Sequence, residues 1–210
     1  MKMDCQCAGV NGTNLLGRWM YYPPFGNTQT KHLSKASIAR ESELAGPFKK
    51  PLFGFIDRNK YVKFNMADTL FSWFLVTELH VWMAMLRYMA EGNDGKIVRN
   101  NLVEAMWLDT QTRINHLGPI SSSVKRKRIN ELSAQFNAAV IGYDEGILSD
   151  DKVLASALWR RFFHYECNNP EQIEKLLIFV RKQVNLLDKI PSQQIIAAPF
   201  SKWLDLRSIR

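Results

Sequence analysis

The side chains that could do acid-base or metal chemistry are scattered along this chain. Four histidines lie far apart in the sequence, at His32, His80, His116 and His164. Cys5 and Cys7 are separated by a single residue, which is too close for a usual zinc site, and no second ligand pair follows them. The spacing therefore predicts neither a metal nor a cofactor.

The motifs of the common enzyme classes do not occur in the sequence. G-x-S-x-G, H-E-x-x-H, G-x-G-x-x-G and C-x-x-C are all missing. Gly12 and Gly17 have the spacing of a P-loop, but Arg18 replaces its lysine and Trp19 replaces the residue that would hold magnesium. We predict a protein without a catalytic residue or a small-molecule substrate; an enzyme of an unrecognised type is the alternative.

Four consecutive cations could bind a negatively charged partner: Lys125, Arg126, Lys127 and Arg128. They lie near the start of a predicted helix, where the helix dipole disfavours positive charge. The candidate partners are ribosomal RNA, an anionic membrane surface and a nuclear import receptor. A solvated helix face without a partner is the alternative.

A group of acids is predicted at a turn. Asp144 and Glu145 lie in the segment Gly-Tyr-Asp-Glu-Gly at residues 142–146, and Asp150 and Asp151 follow within the same stretch. The segment lacks the alternating acids of a calcium-binding loop. Two interpretations stay open: a well-capped turn, or a docking patch for a basic partner.

Glu78 lies in the middle of the most apolar predicted helix. At about 100° per residue, His80 falls on another side of this helix. Glu78 shares its face with large apolar residues, namely Phe71, Phe74, Leu75, Trp82, Met85 and Met89. A buried carboxylate needs a cation or a donor, and we predict Arg99 or Arg113 of the next helix. The alternative is a groove in which Glu78, His80 and Trp82 contact a partner or client.

The elements that carry these residues are predicted to be helices. No alternating strand pattern or internal repeat is present, so we predict an all-α fold with a single domain of about five main helices. Residues 66–190 form this domain, and residues 191–210 form a short tail. Residues 1–65 contain many Gly and Pro and are predicted to be an irregular basic extension, mostly loop.

Caps and helix breakers predict the first boundaries. The first helix starts near Asp68 and stops at Gly92, and the second runs from about Lys96 to Leu117. Glu78 and His80, with Ser72 and Thr77, interrupt the apolar run of the first helix, so a buried core helix is favoured over a membrane span.

Three further helices follow. The third begins in residues 121–123 and is closed by Gly142, and the fourth is capped by Ser149. The fifth has Asn169 as its cap and Pro170 at its first position. Its apolar face is predicted to consist of Ile173, Leu176, Leu177, Val180, Val184 and Leu187.

Charge and cysteine usage narrow the class of protein. The formal net charge is +8, and residues 1–65 hold ten Lys and Arg against four Asp and Glu. This basic extension suits RNA, an anionic membrane or mitochondrial import, whereas the nearly neutral helical body suits a protein binder. Three cysteines, an odd number, indicate a reducing compartment.

Four stretches in the second half of the chain carry a family resemblance. They are DTLFSWFLVTELHVWM at residues 68–83, GYDEGILSDD at 142–151, ALWR at 157–160 and VRKQ at 180–183. These stretches resemble, in order, the ubiquinol-cytochrome c chaperone family, the assembly factors of respiratory complex III. The resemblance covers approximately residues 62–190.

The resemblance implies a helical, non-enzymatic protein with no catalytic residue to carry over. Such a protein lies on the matrix side of the mitochondrial inner membrane as a peripheral protein. It acts with a small partner assembly factor as a heterodimer, associates with the mitochondrial ribosome and receives newly made cytochrome b. A basic helical adaptor that binds RNA or the ribosome without a cytochrome b client is the alternative, because composition alone fits both.

Overall fold

A computed structural model describes Met66, residues 69–166, residues 169–197, Trp203 and Leu204. These residues form six helices: α1 (Leu70–Met89), α2 (Gly92–His116), α3 (Ser122–Leu148), α4 (Asp151–Phe163), α5 (Pro170–Asp188) and α6 (Ser192–Ala197). No strand occurs in these ranges, and the prediction of an all-α fold is confirmed. The predicted extension, residues 1–65, and all three cysteines lie outside the described residues.

Helix α1 forms the centre of the domain. Sixteen of its twenty residues are buried, which confirms the prediction of a core helix. Its N-cap is Thr69, one residue beyond the predicted Asp68, and the Thr69 Oγ1 accepts a hydrogen bond from the Ser72 amide at 3.2 Å. Among the described helices, none has the length and apolar character needed to cross a bilayer.

Helix α2 begins at Gly92, four residues before the predicted start at Lys96. Residues 92–95 form the first turn of this helix. Gly92 has a φ of +65°, which glycine adopts without strain. At Gly95 an added Cβ would lie 1.8 Å from the Tyr88 carbonyl oxygen, so only glycine permits this close approach between α1 and α2.

Helix α3 extends through residues 142–146 to Leu148, and the prediction that Gly142 ends the helix in a turn is wrong. Tyr143 and Asp144 are buried against other helices, and these contacts outweigh the roughly 1 kcal/mol that each helical glycine costs. Gly146 also lets α3 approach α4 closely, because an added Cβ would lie 2.6 Å from the Leu154 Cα.

The last two long helices have side-chain caps. Asp150, not the predicted Ser149, caps α4 by accepting from the Lys152 and Val153 amides at 3.0 Å each. Asn169 caps α5, with Pro170 at its first position, as predicted. The buried face of α5 is Leu176, Phe179, Val180, Gln183 and Leu187. The predicted face is therefore right in part, because Ile173, Leu177 and Val184 are half-buried.

The helices pack as a bundle around α1. Helices α2 and α5 lie against α1, while α3 packs on α4 and α4 packs on α5. Described residues of the predicted tail join this core. Ile195 of α6 is buried, the Trp203 ring lies 4.5 Å from His80, and the Leu204 amide donates to the Gln183 Oε1 at 2.8 Å.

Candidate functional site

The polar centre of the bundle is an ion pair between α1 and α4. Arg161 donates from Nε to the Glu78 Oε1 at 2.8 Å and from Nη2 to the Glu78 Oε2 at 2.7 Å. Tyr143 of α3 donates its hydroxyl to the same Oε1 at 3.3 Å. The Arg161 Nη1 donates to the Gln135 Oε1 at 3.0 Å. Three helices are therefore joined around one carboxylate.

The surroundings of this pair act on both ionisation equilibria. Glu78 is fully buried, and burial raises its pKa against the opposing effects of Arg161 and Tyr143. Burial acts to lower the pKa of Arg161, but the hydrogen bonds and charge of Glu78 outweigh it and raise that pKa. With a guanidinium bound at both oxygens, we treat the pair as a salt bridge.

The prediction of an ion pair for Glu78 is confirmed, but the predicted partners are wrong. Arg99 donates to Asn100, beside it in α2. Arg113 pairs with Asp109 in the same helix, and its guanidinium carbon lies 4.0 Å from the centroid of the Trp73 ring. Neither cation bonds to Glu78.

Arg161 is the site residue that sequence reasoning missed. It follows Leu154 by seven residues and Leu158 by three, so it shares the apolar face of α4. A cation on an apolar helix face is a signal for a buried acid, and it could have been paired with the acid on the apolar face of α1.

A second polar contact joins α1 to α3. The Trp82 Nε1 donates to the Asp144 Oδ1 at 2.8 Å, and the Trp82 ring packs on Tyr143 with centroids 5.0 Å apart. Burial raises the pKa of Asp144 to about 6, although the hydrogen bond from Trp82 opposes this rise. Asp144 is therefore an interior residue in this fold, and its contact with a basic partner stays a prediction.

His80 also lies in the interior. Its Nδ1 is 2.7 Å from the Val76 carbonyl oxygen, which can only accept, so Nδ1 carries the proton. The ring packs between Phe179 of α5, at 5.7 Å, and Trp203, at 4.5 Å. Glu78, His80 and Trp82 all face other parts of the chain, and partner binding by them stays a prediction.

The remaining predicted acids are exposed around the α3–α4 connection. Glu145 and Asp150 face solvent, and Asp150 also caps α4. Asp151 pairs with Arg181 of α5, with 3.0 Å between Oδ1 and Nε. Arg181 also donates to the Ile147 carbonyl at 3.1 Å, which fixes this connection against α5. These three acids are exposed, and partner binding by them stays a prediction.

The predicted basic run lies in the first two turns of α3. Arg126 and Lys127 are exposed and make no hydrogen bond or ion pair with any described residue. Lys125 donates its ammonium to the Asn115 Oδ1 at 2.9 Å, and Arg128 pairs with Glu131 at 3.0 Å. The run is therefore partly solvated and partly bound to its own chain.

Metal binding finds no support in the described residues. Within residues 69–166 and 169–197, no three His, Cys, Asp or Glu side chains are grouped closely enough to hold an ion. The buried polar side chains described above bind one another or backbone groups instead. Chemically, this arrangement is suited to fixing helix positions and presenting surfaces to other macromolecules.

Sequence comparisons identify relatives of this helical domain. Ubiquinol-cytochrome c reductase complex assembly factor 1 of Drosophila melanogaster is 51% identical over 158 residues, which cover 71% of this chain and 61% of that protein. The protein of the same name in Mus musculus is 41% identical over 146 residues, covering 70% of this chain and 49% of that protein. The chain therefore spans less than two thirds of the length of these relatives.

A solved structure shares the fold. The crystal structure of the Cbp3 homolog from Brucella abortus matches with a TM-score of 0.67 and covers 83% of this chain and 96% of that one. At 20% identity, this similarity shows the fold alone. The family model described as Ubiquinol-cytochrome C chaperone matches residues 62–203, which include every helix described above. The chain belongs to the ubiquinol-cytochrome c chaperone family.

Proposed function

We propose that this chain is a non-enzymatic assembly chaperone for respiratory complex III. In this proposal it binds newly made cytochrome b together with a small partner factor, close to the mitochondrial ribosome. It acts as a peripheral protein on the matrix side of the inner membrane. The observation that carries the proposal is the family match over residues 62–203, which takes in the whole described helical domain.

The buried polar groups support a binding scaffold rather than an enzyme. Glu78 is held by Arg161 and Tyr143, and Asp144 is held by Trp82. In an active site, a perturbed acid faces a cleft where substrate can reach it. Here each acid is covered by neighbouring helices and bound to a fixed partner, which suits a structural role.

The small partner factor is proposed to dock on the acids of the α3–α4 connection. Glu145, Asp150 and Asp151 are exposed there, and Leu148, also exposed, adds apolar area between them. An acidic rim around an apolar side chain favours a basic amphipathic partner. This surface is separate in sequence from the basic run in the first turns of α3.

The second candidate function is a basic adaptor that binds RNA or the ribosome without a cytochrome b client. The exposed cations Arg126 and Lys127 favour it. A salt titration of ribosome binding separates the two functions. Binding to phosphates weakens steeply as salt rises, whereas contact with an apolar client does not.

Depletion of the protein in its own cells tests the main proposal. We expect lower levels of cytochrome b and complex III, with complex IV subunits translated at nearly normal rates. Rescue with Glu145→Lys should fail to capture the partner, whereas rescue with Glu174→Lys should succeed, because that exposed acid lies on α5. Normal cytochrome b in depleted cells would overturn the proposal.

A further inference from the structure

The connection between α2 and α3 exposes apolar side chains at one end of the bundle. Leu117 is 57% exposed, Val124 is 46% exposed and Ile120 is 36% exposed. We call residues 115–128 the α2–α3 corner. Large aliphatic side chains that are grouped and open to water favour contact with another apolar phase.

Cations lie beside these side chains. At about 100° per residue, Lys127 and Arg128 flank Val124 on α3, and Arg126 lies on the opposite side of the same turn. The ammonium of Lys125 bridges to Asn115 of α2, which fixes the two helix ends side by side. Lys127 and Arg128 therefore flank the exposed aliphatic group on α3, whereas Arg126 points away from it.

The corner itself contains no acid, and of its cations Arg128 is paired with Glu131 just outside it. From residue 110 to residue 130 the sequence has no Asp or Glu, and the flanking acids Asp109 and Glu131 are paired with Arg113 and Arg128. The first half of α3 also projects beyond the core, since Phe136 is its first buried residue. Nothing in the described part of the chain covers the exposed aliphatic side chains of the corner.

We propose that the α2–α3 corner docks on an anionic lipid bilayer. Leu117, Ile120 and Val124 enter the headgroup layer, and the cations around them bind lipid phosphates. The proposal deepens the proposed function, on which its biological setting rests, by naming the surface that makes the protein peripheral to a membrane.

A membrane fits this surface better than RNA does. RNA phosphates would satisfy the cations, but they would leave three aliphatic side chains in water without benefit. A bilayer surface offers negative phosphates and an apolar layer at adjacent depths, which matches the order of groups at the corner. Each cation near an anionic leaflet strengthens binding about fivefold, so Lys127, which flanks Val124, contributes about fivefold.

Vesicle flotation with the purified full-length chain tests the proposal. We expect binding to phosphatidylcholine vesicles that contain phosphatidylglycerol and little binding to phosphatidylcholine alone. Lys127→Gln should weaken binding about fivefold and reduce its salt dependence. Leu117→Ser with Val124→Ser should weaken it about tenfold or more and remove the part that survives high salt.

Matched controls carry the same changes elsewhere on the surface. Lys182→Gln removes one exposed cation, and Ile141→Ser with Leu186→Ser removes two exposed aliphatic side chains. Both controls should bind vesicles like the wild type. Helical circular dichroism should be unchanged in all four variants, because none of the altered side chains is buried.

Two results would overturn the proposal. In one, the corner variants bind vesicles as well as the controls do. In the other, the wild type ignores anionic vesicles but binds an RNA oligonucleotide, with Leu117→Ser and Val124→Ser without effect, which would assign the surface to RNA. Neither result depends on cytochrome b, so failure here is distinguishable from failure of the assembly function.

Discussion

Arg161 and Glu78 lie 83 positions apart and bind each other through two parallel hydrogen bonds of 2.8 and 2.7 Å. The side chain of Glu78 is fully covered and that of Arg161 is 11% exposed. Such a pair contributes little net stability against an apolar replacement, yet it is costly to break on one side. Its role here is to fix the relative position of α1 and α4.

Glu78→Leu should lower the free energy of unfolding by about 3 to 5 kcal/mol, because Arg161 and the Tyr143 hydroxyl lose their acceptor. Glu78→Gln should cost less, since the amide keeps one oxygen that can accept. Chemical denaturation measures both changes. The two variants also separate structure from binding, because a client groove would lose partner capture without losing stability.

The double variant Glu78→Leu with Arg161→Leu supplies the control. Its loss of unfolding free energy should be smaller than the sum of the losses in the two single variants, because the second change removes the charge left unpaired by the first. Strictly additive losses would show that the two side chains contribute independently and that the pair does not couple α1 to α4.

The position of Glu78 among buried apolar residues could be predicted from the sequence, because helical periodicity is a local property. The wheel placed this acid among large apolar residues, and the structure buries it there. The choice of cation could not be predicted in the same way. Arg99 and Arg113 are on the adjacent helix in sequence, but Arg161 reaches Glu78 only because α4, packed on α3 and α5, is brought close to α1 in the tertiary fold.

The end of α3 was mispredicted for a related reason. Gly142 is a common helix terminator, and local propensity favours a turn at this position. The helix continues because the next two residues, Tyr143 and Asp144, bind Glu78 and Trp82 of α1. Those contacts are tertiary, and no pattern within residues 142–146 reveals them.

Asp144 gives the fold a dependence on pH. Burial raises the pKa of its carboxyl from 3.8 to about 6, so the folded state holds this proton longer than the unfolded state does. Stability contributed by the group is therefore fully present below pH 3.8 and is lost as pH rises to about 6. Above that range the buried carboxylate is charged, which costs free energy.

Asp144→Asn should remove the loss of stability that accompanies rising pH. The amide oxygen can still accept from the Trp82 Nε1, and the side chain cannot ionise. Near pH 4 the variant should match the wild type in stability, and at pH 7 it should be more stable by about 1 to 3 kcal/mol. Urea denaturation across this range measures the difference. Parallel stability curves for the two proteins would contradict the prediction.

Substitution by alanine should lower stability at Gly146 and raise it at Gly142. At Gly146 a Cβ would lie 2.6 Å from the Leu154 Cα, so Gly146→Ala must push α3 away from α4 and should destabilise the fold by about 1 to 3 kcal/mol. At Gly142 the nearest side chains are 3.7 and 3.8 Å away, which is ordinary contact. Gly142→Ala should therefore stabilise the helix by about 0.5 to 1 kcal/mol. Thermal unfolding of the pair decides the prediction, and equal effects would contradict it.

Arg87 ties the end of α5 to α1. Its Nε donates to the Leu187 carbonyl oxygen at 3.1 Å and its Nη2 donates to the Ile190 carbonyl oxygen at 2.7 Å. Its third nitrogen pairs with Glu91, which also accepts from the Ser192 hydroxyl at 3.0 Å. One guanidinium therefore satisfies carbonyl groups at the end of α5 and positions the start of α6.

Arg87→Lys should loosen this end of the bundle, although it keeps the charge. An ammonium cannot reproduce the planar fork that reaches both carbonyls and Glu91, so we expect a loss of about 2 to 3 kcal/mol. Hydrogen exchange should speed up at the amides of residues 187–195 and stay slow in α3. Arg128→Lys is the matched control, because Arg128 is 72% exposed and should change stability by less than about 0.5 kcal/mol. Unchanged exchange at residues 187–195 would show that α5 and α6 are held by apolar packing alone.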